Sequence, residues 1–295
     1  MKNKSIRRMI GFWGVLLALA NVPAAAAQCE ALSEQQMLQA SAWQVKPEAG
    51  HIYKVQGWYV QDGDSLSLAH GHRLRLGQIN STEMAHKKRL AQAYAQQARD
   101  QLDQLLGRQN AIYLRVLPKL KDHYGRWLVK LYDGAGLSAE AFLVARGLAY
   151  VVSMDAQGAE DCLWQHEARA RKQSLRIWRT AMSAVYQAAD LTPKQGGFMR
   201  MGGVVADINE SQHHWYIGLG GQAGIKIDKQ LLAASPFNLS SRQQLEQWVG
   251  QTILARGWLS WRKLSKKQRQ KGYLSGLMSV YHLDMLEQAP ARSGR

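Results

Sequence analysis

Cysteine, proline and acidic side chains are all scarce in this chain of 295 residues, and each scarcity excludes something. Two cysteines cannot build a zinc cluster or a disulfide-rich scaffold. Six prolines, with 20% charged and 46% apolar residues, exclude a Pro-rich or disordered chain. The apolar run Met9 to Ala20 has only 12 residues, against the roughly 20 needed to cross a bilayer, so a multispan membrane protein is excluded. Only 22 Asp and Glu face 38 Lys and Arg, a net charge of +16. That excess suits a polyanionic partner, either nucleic acid or an anionic membrane surface.

The first 27 residues form an export signal by pattern. Lys2, Lys4, Arg7 and Arg8 precede the short apolar run, and Ala25-Ala26-Ala27 supplies small residues before a cleavage expected ahead of Gln28. Lipid attachment at Cys29 and an uncleaved anchor are the weaker alternatives. The expected location is therefore periplasmic or secreted. In such a compartment Cys29 and Cys162 can form a disulfide, the alternative being two unrelated thiols.

The remaining chain divides into an acidic segment at 28–48 that covers a sheet edge, a domain at 49–178, a linker at 179–195 and a second domain at 196–295. Both domains are basic, with 18 Lys and Arg against 12 Asp and Glu in the first and 13 against 6 in the second. No internal repeat is visible. In the first domain the patterning predicts strands at Tyr53 to Val60, Ser65 to Leu68, His72 to Ile79, Ile112 to Val116 and Trp127 to Tyr132. Helices are predicted around Tyr94 to Leu105, Ala139 to Arg146 and Leu163 to Ser174, the first two stopped by Gly107 and Gly147. The fold class is α+β and mainly β, a small barrel with helices outside.

Four motifs stand in order along this domain: Asp62-Gly63-Asp64-Ser65, then Arg75 eight positions before Glu83, then Asp122-His123-Tyr124-Gly125-Arg126, then Arg146-Gly147-Leu148-Ala149-Tyr150. With the closing Leu175-Arg176-Ile177-Trp178, this stretch of about residues 53–178 resembles the staphylococcal-nuclease-like (thermonuclease) family, whose core is an OB barrel. The resemblance implies calcium-dependent hydrolysis of phosphodiester bonds in DNA and RNA, leaving 3′-phosphate ends. It assigns Arg75 and Arg126 to the phosphoryl oxygens, Glu83 to activation of the attacking water, and Asp64, Asn80 and Ser81 to calcium. Tyr124 and Tyr150 would then lie beside a nucleotide. The chemistry is coherent: guanidiniums hold phosphate oxygens with charged, bidentate hydrogen bonds, and a carboxylate can take a proton from water.

One stretch departs from the family. Where its members carry Asp-x-Pro-Glu, this chain has Asn80-Ser81-Thr82-Glu83. One formal charge is lost from the calcium ligands, so weaker binding is expected, and the loop holding Glu83 loses a proline. Each site residue also has a plainer alternative. Arg75 and Arg126 could be solvated barrel charges paired with Asp64 or Glu83, and Tyr150 could be core. The run His86-Lys87-Lys88-Arg89 could be a solvated loop or a guide for DNA.

The second domain shows strands at Gly203 to Ile208, Trp215 to Leu219 and Gly224 to Asp228, a helix opened by Ser241 and Gln244 in capping-box spacing, and strands at Thr252 to Trp261 and Leu277 to Tyr281. Three strands, a helix and two strands is the OB order. Six of the ten residues from Arg262 to Lys271 are cationic, between Trp261 and Tyr273. Lys266, Lys267 and Arg269 are the candidate substrate contacts, against the alternative of a solvated basic loop. The expected activity is an exported calcium-dependent nuclease acting on DNA and RNA. Two alternatives remain open: a non-catalytic nucleic-acid-binding protein with a degenerate site, and a periplasmic module binding another polyanion or an envelope protein.

Overall fold

The computed structural model describes residues 29, 31–44, 46–87, 89–107, 109–155, 157–233 and 241–288. The expected export signal at 1–27 and Lys88 lie outside the described residues. No helix among the described residues is long and apolar enough to cross a membrane.

After a short helix α1 (Glu34–Leu38), capped by Ser33 and Gln36, nine strands and three helices follow. They are β1 (Ser41–Ala42), β2 (Ile52–Val55), β3 (Trp58–Asp62), β4 (Ser65–Leu68), β5 (Arg73–Leu76), β6 (Ile79–Ser81), α2 (Ala95–Leu106), β7 (Ile112–Lys121), β8 (Trp127–Tyr132), α3 (Ala139–Ala145), β9 (Ala149–Val151) and α4 (Asp161–Lys172). The main sheet runs β1-β2-β7-β8-β5-β4-β3, with β5 and β8 parallel. β2 and β3 are two parts of one interrupted strand and lie towards opposite ends of this order. Counting them as strand one gives 1-2-3-5-4-1, the OB order. β1 pairs in parallel with β2 and covers its edge. The apolar positions that alternate along the strands, among them Leu66, Leu74, Leu76, Leu114 and Val129, fill one core together with Ala98, Leu102 and Leu106 of α2.

The run from His72 to Ile79 is not one strand, as the patterning suggested. It breaks after Leu76, because the chain changes partner. Gly77 still donates to Val129 O at 3.1 Å, whereas Gln78 O accepts from Val152 N at 2.9 Å and β6 pairs with β9 in a separate ribbon. This break turns Asn80 and Ser81 back over the main barrel.

The second unit repeats the plan: β10 (Val185–Gln187), β11 (Gly197–Val204), β12 (Asp207–Glu210), β13 (His214–Gly218), β14 (Ala223–Asp228), α5 (Lys229–Ala233), α6 (Arg242–Glu246), β15 (Thr252–Trp261), α7 (Lys266–Gln270), β16 (Gly276–Val280) and β17 (Leu286–Gln288). Its order is β10-β11-β15-β16-β14-β13-β12, with β14 and β16 parallel and β17 beside β15. β11 and β12 again form one interrupted strand. The first strand is longer than the sequence suggested, and the segment between the barrels supplies β10 as an edge partner of β11. Ser241 and Gln244 do make the expected capping box on α6.

The two barrels are packed together. Phe198 and Trp258 of the second lie against Leu117, Leu128, Val152 and Met154 of the first. Arg256, only 1% exposed, donates to both carboxylate oxygens of Glu167 at 2.7 and 2.6 Å and to Val151 O at 3.2 Å, and pairs with Glu287 on its other side. Such a pair rests on both partners, since removing one leaves an uncompensated buried charge.

A second buried carboxylate gives stability a pH dependence. Glu140 of α3 accepts from Leu131 N at 3.1 Å, yet burial pushes its pKa from 4.5 up to about 8, against the lowering effect of backbone hydrogen bonds. The unfolded chain loses this proton near 4.5 and the folded chain keeps it until about 8. Folded protein thus binds more protons in that window, and stability falls as pH rises through it. Glu140→Gln should remove this part of the slope, leaving a flatter curve than the parent. Urea midpoints of both proteins across the window test it, and parallel curves would acquit Glu140.

Candidate active site

The turn between β3 and β4 forms the floor of the site. Asp64 N donates to Asp62 Oδ1 at 3.0 Å, a local turn that sets Asp64 inward, 4% exposed. Gly63 is required between them, since a Cβ there would come within 2.8 Å of both Ala98 Cβ on α2 and Ser81 Cβ on β6. The close approach lets Ser81 N donate to Asp64 Oδ2 at 2.6 Å.

Arg75, on β5, is 3% exposed and pairs directly with Asp64. Its Nη2 also donates to Ile79 O at 3.1 Å and to Asn80 Oδ1 at 2.9 Å. The alternation of Arg73 and Arg75 suggested one polar face, but only Arg73 is exposed, donating to Tyr124 O at 2.9 Å. Burial and the charge of Arg126 pull Arg75 down to about 10, while Asp62, Glu83 and Asp122 oppose them. It remains a cation at neutral pH. Burial likewise raises Asp62 from its ordinary value, against the pull of Arg75, the Ser65 hydrogen bond and Arg126.

Arg126 stands at the base of the β7–β8 hairpin, its side chain 22% exposed. Asp122 holds it by accepting from Arg126 Nε at 2.7 Å and from the backbone of Arg126 and Tyr124 at 2.9 Å. Burial pushes the Asp122 carboxyl up, but those hydrogen bonds and the Arg126 charge outweigh it and hold it below its ordinary value. Arg126 Nη1 donates to Ser65 Oγ at 3.1 Å, and Ser65 Oγ donates to Asp64 Oδ1 at the same distance. Two guanidiniums therefore share one polar floor. Tyr124, 62% exposed, has its ring 5.5 Å from the Arg126 guanidinium.

Glu83 is exposed beside this floor. Its backbone is clamped by Gln92, whose Oε1 accepts from Glu83 N at 2.8 Å and whose N donates to Glu83 O at 2.9 Å. Its charge acts on Arg75, and no hydrogen bond among the described residues ends on its carboxylate. The cationic run after it closes as a tight turn between His86 and Arg89, with His86, Lys87 and Arg89 exposed.

The structure thus brings together Asp64, Arg75, Asn80, Ser81 and Arg126, with Glu83 and Tyr124 at the solvent side. Residues 73–180 match the family model of the staphylococcal nuclease homologues. Over this segment the chain is similar to the staphylococcal nuclease homologues. The match takes in Arg75, Asn80, Ser81, Glu83, Tyr124 and Arg126; Asp64 lies ahead of it and the second barrel beyond it. No curated protein matches the chain.

The other expected contacts lie outside this cluster. Tyr150, expected beside a nucleotide, is 1% exposed at the junction of the barrels, its ring 5.0 Å from Trp178 and 5.1 Å from Phe198. Burial raises its phenol pKa, and it has no face to offer a base. Lys266, Lys267 and Arg269 are exposed on α7 of the second barrel. Ser65 and Asp122, which the sequence showed only within longer motifs, are the residues that orient Arg126. Their adjacency to Asp64 and their four-residue spacing to Arg126 were the available signals.

For a metal, the donors are right in kind: a carboxylate, an amide oxygen and a backbone carbonyl suit a hard cation. The fit is weakened by Asn80, which is neutral and whose Nδ2 donates to Ser81 O at 3.2 Å. Arg75 is hydrogen-bonded to Asn80 and paired with Asp64, so a dication would compete with a guanidinium for the same oxygens.

Proposed function

We propose that the first barrel is a nuclease that hydrolyses phosphodiester bonds of DNA and RNA. The observation that carries this reading is the pair of guanidiniums on one floor with a carboxylate beside them that no described residue hydrogen-bonds. Arg126, partly open to solvent, holds a phosphoryl oxygen with charged hydrogen bonds. Arg75 adds positive charge from beneath, where low exposure makes it strong in the transition state. Glu83 takes the proton from an attacking water. Tyr124 lies beside the nucleotide. The bond to the 5′ oxygen breaks, leaving a 3′-phosphate and a 5′-hydroxyl that takes its proton from solvent. When bound by Asp64, Asn80 and Ser81, calcium would offset phosphate charge and help order the water. The Cys29–Cys162 disulfide supports an exported, periplasmic or secreted protein.

The engagement of Arg75 with Asp64 and Asn80 favours a second reading, a nucleic-acid binder whose site has lost metal affinity. Incubating purified protein with end-labelled DNA and RNA, in calcium or in chelator, separates the two. Cleavage to 3′-phosphate ends in calcium supports the nuclease; binding without cleavage in both supports the binder. Asn80→Asp restores a ligand charge and removes the N–H donor from Ser81 O. Calcium affinity of the protein alone, by calorimetric titration, should rise about tenfold or more. If it does not move, Asn80 is not at the metal.

A further inference from the structure

We infer that the second barrel binds single-stranded nucleic acid by taking one base into a pocket between its β12–β13 turn and its β15–β16 connection, with phosphates along α7. The pocket is a cavity of about 120 Å³. An enclosed cavity of about 150 Å³ takes a whole benzene, so this smaller pocket, open to solvent beside the exposed Tyr273, seats one ring in part and leaves the rest outside. Tyr216 of β13 and Tyr273, 48% exposed, contribute its aromatic surface, and Asn209 and Arg262 its polar groups. In the OB order these two connections belong to the strand 1–2 and strand 4–5 loops, which border the ligand groove of that fold.

Tyr273 is held in place by the way α7 ends. Gly272, at φ +71°, follows the last turn, Gly272 N donates to Arg269 O at 3.0 Å and Tyr273 N to Gln268 O at 3.1 Å. This is the paired closure of a Schellman motif, and it needs glycine at that conformation. The start of α7 is fixed as well, by Ser265 and Gln268 in a capping box. The cationic segment is therefore an ordered turn of helix rather than the open loop suggested by its charge.

Electrostatics agree with an anionic ligand. Lys263, Lys266, Lys267, Arg269 and Lys271 are all exposed, and no acidic residue occurs from 247 to 283. Arg262 Nε donates to Leu274 O at 3.1 Å, while its two Nη groups have no protein acceptor among the described residues. Glu210 is the one carboxylate among the described residues of the pocket lining, and Lys229 pairs with it at 2.7 Å. An aromatic, amide-bearing pocket beside a cluster of cations matches a base and its backbone. A base inside a duplex cannot enter it, so single strands are preferred.

The inference rests on nucleic acid as the partner of this protein but not on hydrolysis in the first barrel, and the test keeps the two apart. Binding of a labelled single-stranded thymidine oligonucleotide is measured in chelator by fluorescence anisotropy across a salt series, for the full chain and three variants. Tyr273→Ala should weaken binding roughly 5- to 150-fold with little change in salt slope, since stacking is lost and charge is kept. Lys266→Ser, Lys267→Ser and Arg269→Ser together should lower that slope by about 2. Tyr273→Phe should retain binding, showing that the ring is what matters. Cleavage of a dinucleotide-size substrate in calcium by Tyr273→Ala is read in parallel, and it should equal the parent's. Parental affinity in Tyr273→Ala, or equal affinity of the parent for duplex and single strands, would overturn the base pocket. Loss of cleavage in every protein with binding preserved would instead overturn the nuclease reading.

Discussion

Replacing Glu83 with glutamine should lower cleavage by about 10²–10⁴-fold and leave nucleic-acid binding intact, the usual worth of a general base. The substitution keeps the size of the side chain and both backbone contacts to Gln92, so the loop geometry has no reason to change. What it removes is the basic lone pair and the negative charge beside the guanidiniums. Losing that charge leaves a more positive cleft, which holds a phosphate at least as well. The signature is therefore a split: kcat falls while the dissociation constant, measured in chelator, holds or tightens. Arg126→Ala should behave differently, losing both, because the solvent-facing cation touches ground state and transition state alike. An unchanged rate in Glu83→Gln would remove the residue from the mechanism. Equal losses of rate and binding would make it a structural residue of the loop.

The first barrel was legible in the sequence because its strands alternate and its turns carry distinctive residues. The cluster of Asp64, Arg75 and Arg126 followed from motif order. The burial of Arg75 was not legible. Period-two alternation places Arg73 and Arg75 on one face, but only the later return of β6 covers the second and spares the first. Tyr150 was misplaced for a related reason: what covers it, Phe198, belongs to the other barrel. The Arg256–Glu167 pair lies 89 residues apart in sequence, beyond any local pattern. The repetition of the barrel left no sequence repeat, since OB order depends on strand pairing and not on particular side chains. In contrast, α7 was foreseeable. Ser265 and Gln268 stand in capping-box spacing, a signal masked by the surrounding charge.

Removing the disulfide should cost the fold about 4–5 kcal/mol, the value expected in the chain-entropy treatment for a closed loop of this size. Cys29 and Cys162 are bonded across 133 residues, with the two Cα atoms 5.3 Å apart. The bond ties the segment before β1 to the first turn of α4. Between these anchors lies nearly all of the first barrel, so the oxidised unfolded chain carries a constraint that the reduced one does not. The same helix bears Glu167, which holds Arg256 and accepts from Val151 N at 2.8 Å. Anchoring α4 therefore supports the junction between the barrels as well as the N-terminal segment. That segment packs Leu32 with Tyr113 and Tyr132. The measurement is denaturant unfolding of Cys29→Ala/Cys162→Ala, with the parent in oxidised and reduced form as companions. The double variant and the reduced parent should share a lowered midpoint. Their denaturant dependence should be steeper, because an uncrosslinked unfolded chain exposes more surface. Cleavage below the melting range should persist, since neither cysteine belongs to the Asp64–Arg75–Arg126 cluster. A variant within about 0.5 kcal/mol of the oxidised parent, the range of ordinary surface substitutions, would show that noncovalent packing alone holds the N-terminal segment to α4.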